Sequence, residues 1–383
     1  MEEWKYIKVS ELCKKVCSGG TPKSTVSAYY GGEIPWLNTK EINFNRIYKT
    51  EKNITQEGLD NSSAKWIEEN SVVVAMYGAT AGKCAISKIP LTTNQACCNL
   101  MINNVVADYR YVYYALCNDY VKLSSLANGG AQQNLNAQQI KDFGIPYREL
   151  KEQKAIANIL SSFDDKIALN QRINDNLEQQ AEALYKSWFV DFEPFKGGKF
   201  VDSELGKIPE GWEVGNLKEL VTVKYGKDHK KLNDGKIPVY GSGGIMRYVD
   251  DFLYFGESVL IPRKGTLNNV FYVNEHFWSV DTMFYTEMQH KNIAKYIYFF
   301  VLSQNLASMN AGSAVPSMTT DILNSLKCII APLDIMNKFE IIQAPIFEIM
   351  QGKREEIQRL SQIRDSLLPK LMSGELKISD LNS

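Results

Sequence analysis

Histidine is scarce in this chain, and none of its three copies (His229, His276, His290) stands near a cysteine pair at zinc-ligand spacing. The common zinc modules are therefore not expected. The seven cysteines, Cys13, Cys17, Cys84, Cys97, Cys98, Cys117 and Cys328, are odd in number and scattered, poor material for a disulfide framework. They read as reduced structural thiols of a cytoplasmic protein. Long apolar runs are also missing. The longest, Tyr296 to Leu302, is far too short to span a bilayer, so no membrane is expected as a partner. The opening stretch MEEWKYIK is polar and acidic, without the apolar segment of a secretory signal. Neither sign of charge dominates: 43 basic residues against 44 acidic ones leave a net charge of −1. Domains that bind nucleic acid by simple electrostatics carry a basic excess. A nucleic-acid ligand would need the basic residues gathered on one face, or a partner supplying more.

Signatures of chemistry are absent as well. No Asn-Pro-Pro-Tyr or Asp-Pro-Pro-Tyr is present to hold a flipped base for methylation, and no G-x-G-x-x-G occurs. Gly78-Ala79-Thr80-Ala81-Gly82-Lys83 resembles a phosphate-binding loop, but it is one residue short between the glycines. Cys84 also stands where the Mg²⁺-binding Ser/Thr would be. The segment fits equally a structural turn or a Gly-rich loop presenting Lys83 to a phosphate of DNA.

What is present is a duplication. The hydrophobic share of 44% and charged share of 23% are those of an ordinary globular protein, and 383 residues have room for two or three cores. Trp4–Leu12 (WKYIKVSEL) is echoed by Trp212–Leu220 (WEVGNLKEL), and Ile34-Pro35 by Ile237-Pro238. Gly129–Phe143 (GGAQQNLNAQQIKDF) overlays Gly312–Leu326 (GSAVPSMTTDILNSL) without a gap, and a long amphipathic helix pattern follows each copy. A period near half the chain is too long for a solenoid. It implies two similar units related by a pseudo-two-fold, suited to gripping something itself roughly two-fold, with duplex DNA the leading candidate.

Each unit reads as short strands with few helices. In the first these are Val72–Gly78, Lys83–Ile89 and Cys97–Asn103, with a helix near Tyr109–Ala127 and a short one after Asn136. In the second they are Glu257–Pro262, Asn269–Glu275 and Phe277–Glu287, with a helix around Ile293–Met309. The expected class is α+β: two similar domains with small irregular β-sheets, separated by two long antiparallel helices that form a coiled-coil spacer. The expected boundaries are 1–149 and 193–332 for the domains, with 150–192 and 333–383 for the helical segments. Ser161-Ser162 should end a short helix begun at Leu150, and Pro345 should start a new helix after a short one at Asp334–Gln343. Asp191–Lys207, rich in Gly and Lys, reads as a flexible linker.

Each long helix carries a 3-4 alternation. If the two pair antiparallel with Phe163 opposite Leu371, Ile167 meets Leu367, Asn170 meets Arg364, and Asn174 meets Leu360. Further along, Leu177 meets Ile357, Ala181 meets Lys353, Leu184 meets Met350, and Trp188 meets Ile346. At about 1.5 Å per residue the seam is roughly 38 Å long, near one turn of DNA. The plainer alternative is that each helix packs only on its own domain.

The duplicated order resembles the DNA-specificity subunits of type I restriction–modification systems. The resemblance rests on several features: the W-x7-L openings, Gly32–Trp36 (GEIPW) beside Gly235–Gly244 (GKIPVYGSGG), and Met76–Lys83 (MYGATAGK) beside Leu260–Val270 (LIPRKGTLNNV). Leu150–Leu160 (LKEQKAIANIL) and the closing Arg364–Leu376 (RDSLLPKLMSGEL) add to it. It covers essentially the whole chain. One departure is Leu333–Lys338 (LDIMNK), where the family usually has Leu-x-Glu-Gln, so that helix start should dock differently. The resemblance implies two target-recognition domains that each read half of a split duplex site, and no enzymatic activity in this chain. It implies two methylase subunits bringing S-adenosylmethionine, and restriction subunits adding ATP- and Mg²⁺-dependent translocation and cleavage. The recognition subunit of a related bipartite methylase–nuclease system stays open as an alternative. So does a coiled-coil scaffold with protein-binding heads and no nucleic acid.

Candidate DNA-contacting residues are those with donors or acceptors on loops, suited to base edges or phosphates. In the first unit they are Lys23, Ser24, Tyr29, Asn38, Lys40, Arg46, Thr80, Lys83, Gln132, Gln133 and Asn134. In the second they are Lys227, His229, Lys230, Lys231, Ser242, Arg247, Arg263, Lys264 and Asn268. The run Lys227–Lys231 fits a solvated charged loop as well as a phosphate contact. Arg263-Lys264, directly after a strand, favours contact.

Overall fold

The computed structural model describes residues 5–127, 134–309 and 316–381. The chain divides into two compact units, one of residues 1–169 with 356–383, the other of residues 170–355. The architecture is α+β in both. Among the described residues no helix is long and apolar enough to cross a membrane.

The first unit is layered because its central strands are apolar on both faces. Val72–Ala75, Cys84–Ser87 and Cys97–Ile102 are buried at every position. Since side chains alternate along a strand, Val72 and Val74 face one layer while Val73 and Ala75 face the other. Val72, Val74, Cys84, Ile86, Cys98 and Leu100 pack with Tyr111, Val112, Leu116 and Ile140 from the helices. Val73, Ala75, Ala85 and Cys97 pack with Leu37, Ile42, Ile67 and Leu91. The five-stranded sheet runs in the order Cys13–Ser18, Cys97–Ile102, Val72–Ala75, Cys84–Ser87, Asn45–Ile47. A four-stranded sheet runs Lys52–Ile54, Tyr30–Leu37, Leu91–Thr93, Trp66–Ile67. A ribbon of Tyr6–Lys8 with Gly144–Pro146 closes the unit.

The second unit joins its strands into one six-stranded sheet. Its order is Val221–Tyr225, Met283–Met288, Tyr254–Pro262, Phe271–Ser279, Asp234–Gly241, Gly244–Val249. Alternation again splits the core: Val259 and Ile261 face the aromatic cluster around Tyr296 and Phe299, and Leu260 faces Val239 and Phe277. Glu213–Asn216 pairs with Lys327–Ile330 as the closing ribbon. The same phenol bond supports each closing ribbon: Tyr111 Oη donates to the Pro146 carbonyl at 2.9 Å, and Tyr296 Oη donates to that of Ile329.

Both long helices are continuous, Leu150–Phe189 and Leu333–Ser373, so the expected breaks are absent. Instead of capping a new helix, the Ser161 and Ser162 hydroxyls donate back to the carbonyls of Asn158 and Ile159, an arrangement a helix interior tolerates. Pro345 frees only the carbonyl of Ile341, a residue on the exposed face. The helix expected over Tyr109–Ala127 is two, Tyr109–Asn118 and Tyr120–Ser125. The expected linker is folded: Phe200–Ser203 pairs with Gly206–Pro209, and Phe192, Phe195 and Phe200 pack around Trp212 and Trp188. Its aromatic residues outweigh its glycines.

Every expected seam residue is buried or half-buried, so the alternation identified the inward face correctly. The register differs from the expectation. Within the first unit Arg364 donates to Asp164 at 2.6 Å, and Lys166 lies 3.7 Å from Glu356. Within the second, Gln343 donates to the Ala181 carbonyl at 2.8 Å, roughly three turns from the expected Lys353. The pairing was counted from helix ends that do not exist. Each helix is longer, and contacts such as Phe189 against Phe339 (5.0 Å between ring centres) set the register. The departure at Leu333–Lys338 also has a consequence. Gln153 in the first helix is buried and bonded to the Asp108 amide and Arg148 carbonyl, whereas Met336 is buried in a purely apolar contact.

Candidate nucleic-acid interface

In each unit the loop after one sheet strand is tied to the loop preceding a short helix. In the first, Leu135 N donates to the Met76 carbonyl at 2.7 Å, and Tyr77 bridges Asn134. In the second, Met318 N donates to the Arg263 carbonyl at 2.8 Å, and Lys264 bridges Ser317. Asn136 and Thr319 then cap the helices Ala137–Asp142 and Thr320–Asn324 by accepting backbone amides. The frame is the same and the side chains it displays are not: Tyr77-Gly78-Ala79-Thr80 on one, Lys264-Gly265-Thr266 on the other.

Around the first frame, Lys83 donates to Asn43 at 2.7 Å and lies over the Phe44 ring at 5.9 Å. The Gly78–Lys83 segment enters the strand Cys84–Ser87, not a helix, so the geometry of a nucleotide-binding P-loop is absent. Thr80 turns back onto the Tyr77 carbonyl at 3.4 Å. Asn38 accepts from Asn94 at 3.2 Å and caps the turn Thr39–Glu41. Lys23 and Ser24 are exposed on the loop before the turn Ser27–Tyr29, and Tyr29 is half-buried there. Two candidates are occupied elsewhere. Lys40 pairs with Glu51, and Arg46 pairs with Asp165 on the first long helix. Burial alone would lower the Arg46 guanidinium, but its hydrogen bond and attraction to Asp165 hold it above its ordinary value. Gln132 and Gln133 lie outside the described residues.

Around the second frame four loops converge. Arg263 donates to the Asp281 carbonyl at 3.0 Å and lies 5.4 Å over the Tyr225 ring. Asn269 donates to the Ser242 carbonyl at 2.6 Å. Lys227 N donates to Ser279 at 2.8 Å, and the Lys227 carbonyl accepts from the Trp278 indole at 2.9 Å. The Lys227–Lys231 run is thus anchored by its backbone, with the side chains of Lys227, Lys230 and Lys231 exposed and His229 half-buried. Lys264 is exposed, while Asn268 accepts the Ala307 amide at 2.9 Å. Arg247 pairs with Asp234 at 2.8 Å. The sequence did not single out Tyr77 or Tyr225, which stand exposed at these edges. An exposed aromatic on a strand end looks the same in sequence as a core one.

Lys83→Ala and Arg263→Ala are each expected to weaken DNA binding. Loss of a phosphate contact should lower the salt-dependence slope by about one, and loss of a base contact should relax one position by about 1–3 kcal/mol. Titration of duplex binding against salt distinguishes them, and unchanged affinity and specificity would make both loops structural.

Burial pushes the Cys98 and Cys328 thiols up to about 12, far from the reactive thiolate range.

A family model described as the type I restriction modification DNA specificity domain matches residues 1–179 and 209–359. The specificity subunit of the type I restriction enzyme MjaIX from Methanocaldococcus jannaschii is 30% identical over 413 residues, covering 99% of this chain and 95% of the relative. A putative type I specificity subunit from Mycoplasma genitalium is 25% identical, covering 82% of this chain and 84% of its own. In fold, the crystal structure of a type I restriction-modification S subunit from M. genitalium matches with a TM-score of 0.61 at 19% identity, covering 96% of each chain. Since the family model spans both loop-bearing units and the MjaIX relative aligns nearly end to end, the chain belongs to the type I restriction-modification DNA specificity family.

Proposed function

We propose that this chain is the non-catalytic subunit that gives a type I restriction–modification complex its DNA specificity, each loop frame reading one half of a bipartite duplex site. The observation that carries this is the repeated clamp, Leu135 to Met76 and Met318 to Arg263, which holds differently composed loops on one backbone design. Residues 1–149 and 193–332 are the two recognition domains, and the helical segments 150–192 and 333–383 set the distance between them. Two methylase subunits dock on the chain with S-adenosylmethionine. Restriction subunits contribute the ATP- and Mg²⁺-dependent steps, and the complex works in the cytoplasm. With an almost neutral net charge, the chain relies on those partners for part of its phosphate neutralisation.

Exchanging residues 1–149 for the first domain of another member, and mapping methylated sites in a host with the complete system, is expected to change one half of the site only. Changes in both halves would show that the units do not read independently. The purified chain alone is expected to transfer no methyl group from S-adenosylmethionine. Transfer by the isolated polypeptide would contradict the proposed role.

A further inference from the structure

The second unit carries an apolar tip on a two-residue ribbon turn beside its basic loops, and among the described residues the first unit has no such turn at the matching place. In both units the strand that contains the Ile-Pro pair has an antiparallel neighbour in matching register, Trp36 opposite Lys52 in one and Val239 opposite Arg247 in the other. The connections differ. In the first unit the chain wanders through 38–51 before returning. In the second it turns over Ser242-Gly243 alone, with Gly241 opposite Gly244. The result is a two-stranded ribbon whose returning strand lies at the sheet edge.

That ribbon contains a bulge. Val239 faces Arg247 and Tyr240 faces Ile245, which leaves Met246 with no residue opposite. A bulge re-aims side chains, and here the alternation fails: Ile245 is 48% exposed and Met246 is 60% exposed, two adjacent apolar residues both open. The Met246 side chain lies over Gly241, where a Cβ would stand 2.4 Å from its sulfur. The tip belongs to the loop end of the unit. Asn269 holds the Ser242 carbonyl, and the Ser242 hydroxyl lies beside Gly265, next to Arg263 and Lys264.

We propose that Ile245 and Met246 form an apolar reading tip that packs against thymine 5-methyl groups in the half-site read by the second unit. This rests on the proposed DNA-reading role. A two-stranded ribbon fits the major groove, and the thymine methyl is the one apolar group a base pair presents there. Exposed apolar residues on a ribbon whose turn lies beside Gly265, in the loop that carries Arg263 and Lys264, suit a ligand that pairs anionic phosphates with a methyl-bearing edge. Among the described residues no such ribbon turn follows in the first unit, so the preference is assigned to the half-site of the second.

The test uses the assembled methylase complex and its mapped site, with the second unit's half identified by exchanging residues 193–332. Duplexes carrying deoxyuridine in place of each thymine of that half, one at a time, remove the methyl and leave the pairing edge intact. At least one such duplex is expected to bind about fourfold more weakly, the loss of one buried methyl. The Ile245→Ser/Met246→Ser variant is expected to bind thymine and deoxyuridine duplexes equally. A half-site without an A·T pair, tolerance of deoxyuridine at every position, or wild-type discrimination by the variant would overturn the proposal. The deoxyuridine series uses unaltered protein, so misfolding cannot imitate its result, and the variant counts only where it binds the deoxyuridine duplex as tightly as wild type does. A mapped site that fails to respond to the exchange would instead remove the two-reader role, and this proposal with it.

Discussion

Lys295→Ala is expected to destabilise the second unit by about 3–5 kcal/mol, the cost of stripping one partner from a buried ion pair. The Lys295 side chain is 8% exposed, and its ammonium lies 2.8 Å from Glu257 and 2.9 Å from Glu340. Glu340 also accepts the backbone amides of Lys295 and Tyr296 at 2.6 and 3.2 Å, at the start of the helix Ala294–Ser303. Tyr272 donates to Glu257 at 2.6 Å. Without the ammonium, two carboxylates remain in a largely apolar setting with Phe347 and Tyr272 alongside. Burial outweighs the pull of the ammonium and of the Tyr296 amide, so the Glu340 carboxyl sits above its ordinary value. Burial alone would lower Lys295, but attraction to Glu340, then to Tyr272 and Glu257, outweighs it and raises the ammonium above its ordinary 10.5. A raised cation stabilises fully below the unfolded value and loses that contribution only as pH climbs through the folded one. Denaturant unfolding at neutral pH therefore senses the whole effect. Wild-type stability in Lys295→Ala would mean the cluster is solvated and contributes nothing.

Gly226→Ala is the second large effect, because the obstacle is backbone and cannot rotate away. A Cβ at Gly226 would lie 2.0 Å from the Val280 carbonyl oxygen and 2.5 Å from that of Ser279. Relief requires the end of Val221–Tyr225 to part from the turn after Phe271–Ser279. That movement breaks Gly226 N to Met283 at 3.0 Å and Lys227 N to Ser279 at 2.8 Å. It also loosens the indole bond from Trp278. Two orphaned backbone bonds and the forced shift together amount to about 3 kcal/mol or more. The same movement displaces the Lys227–Lys231 run, so recognition of that unit's half-site should suffer beyond the loss of stability. Gly243→Ala is the control: a Cβ there meets nothing within 4 Å, and thermal unfolding should stay near wild type. A Gly226→Ala protein as stable as that control would show that the strand end shifts freely.

Sequence periodicity was reliable where one face of an element is buried along its length. Positions such as Ile167, Ala181, Met350 and Leu371 repeat at 3-4 spacing because the helix itself has that period, and all are buried. The duplicated segment Gly129–Phe143 and Gly312–Leu326 likewise led to equivalent places, since Asn134 and Ser317 occupy the same bridge in each frame. Register was another matter. A 3-4 stripe is satisfied by many offsets of one helix along another, so the alternation could not choose between Gln343 and Lys353 opposite Ala181. Local breaker rules also failed where tertiary packing outweighed them, as with Ser161-Ser162, Pro345 and the aromatic-rich stretch after Asp191.

By itself, then, the sequence determined the α+β class, the duplication, the inward faces of both long helices and the family, because each is written in spacing and order along the chain. Only the tertiary structure decided which loops meet, that Arg46 and Lys40 are held in ion pairs while Lys264 is exposed on a backbone tied to Ser317, and where Met246 is turned outward by a bulge. Those outcomes depend on distances between residues far apart in the chain, set by how sheets stack and strands register, and local pattern carries no record of them.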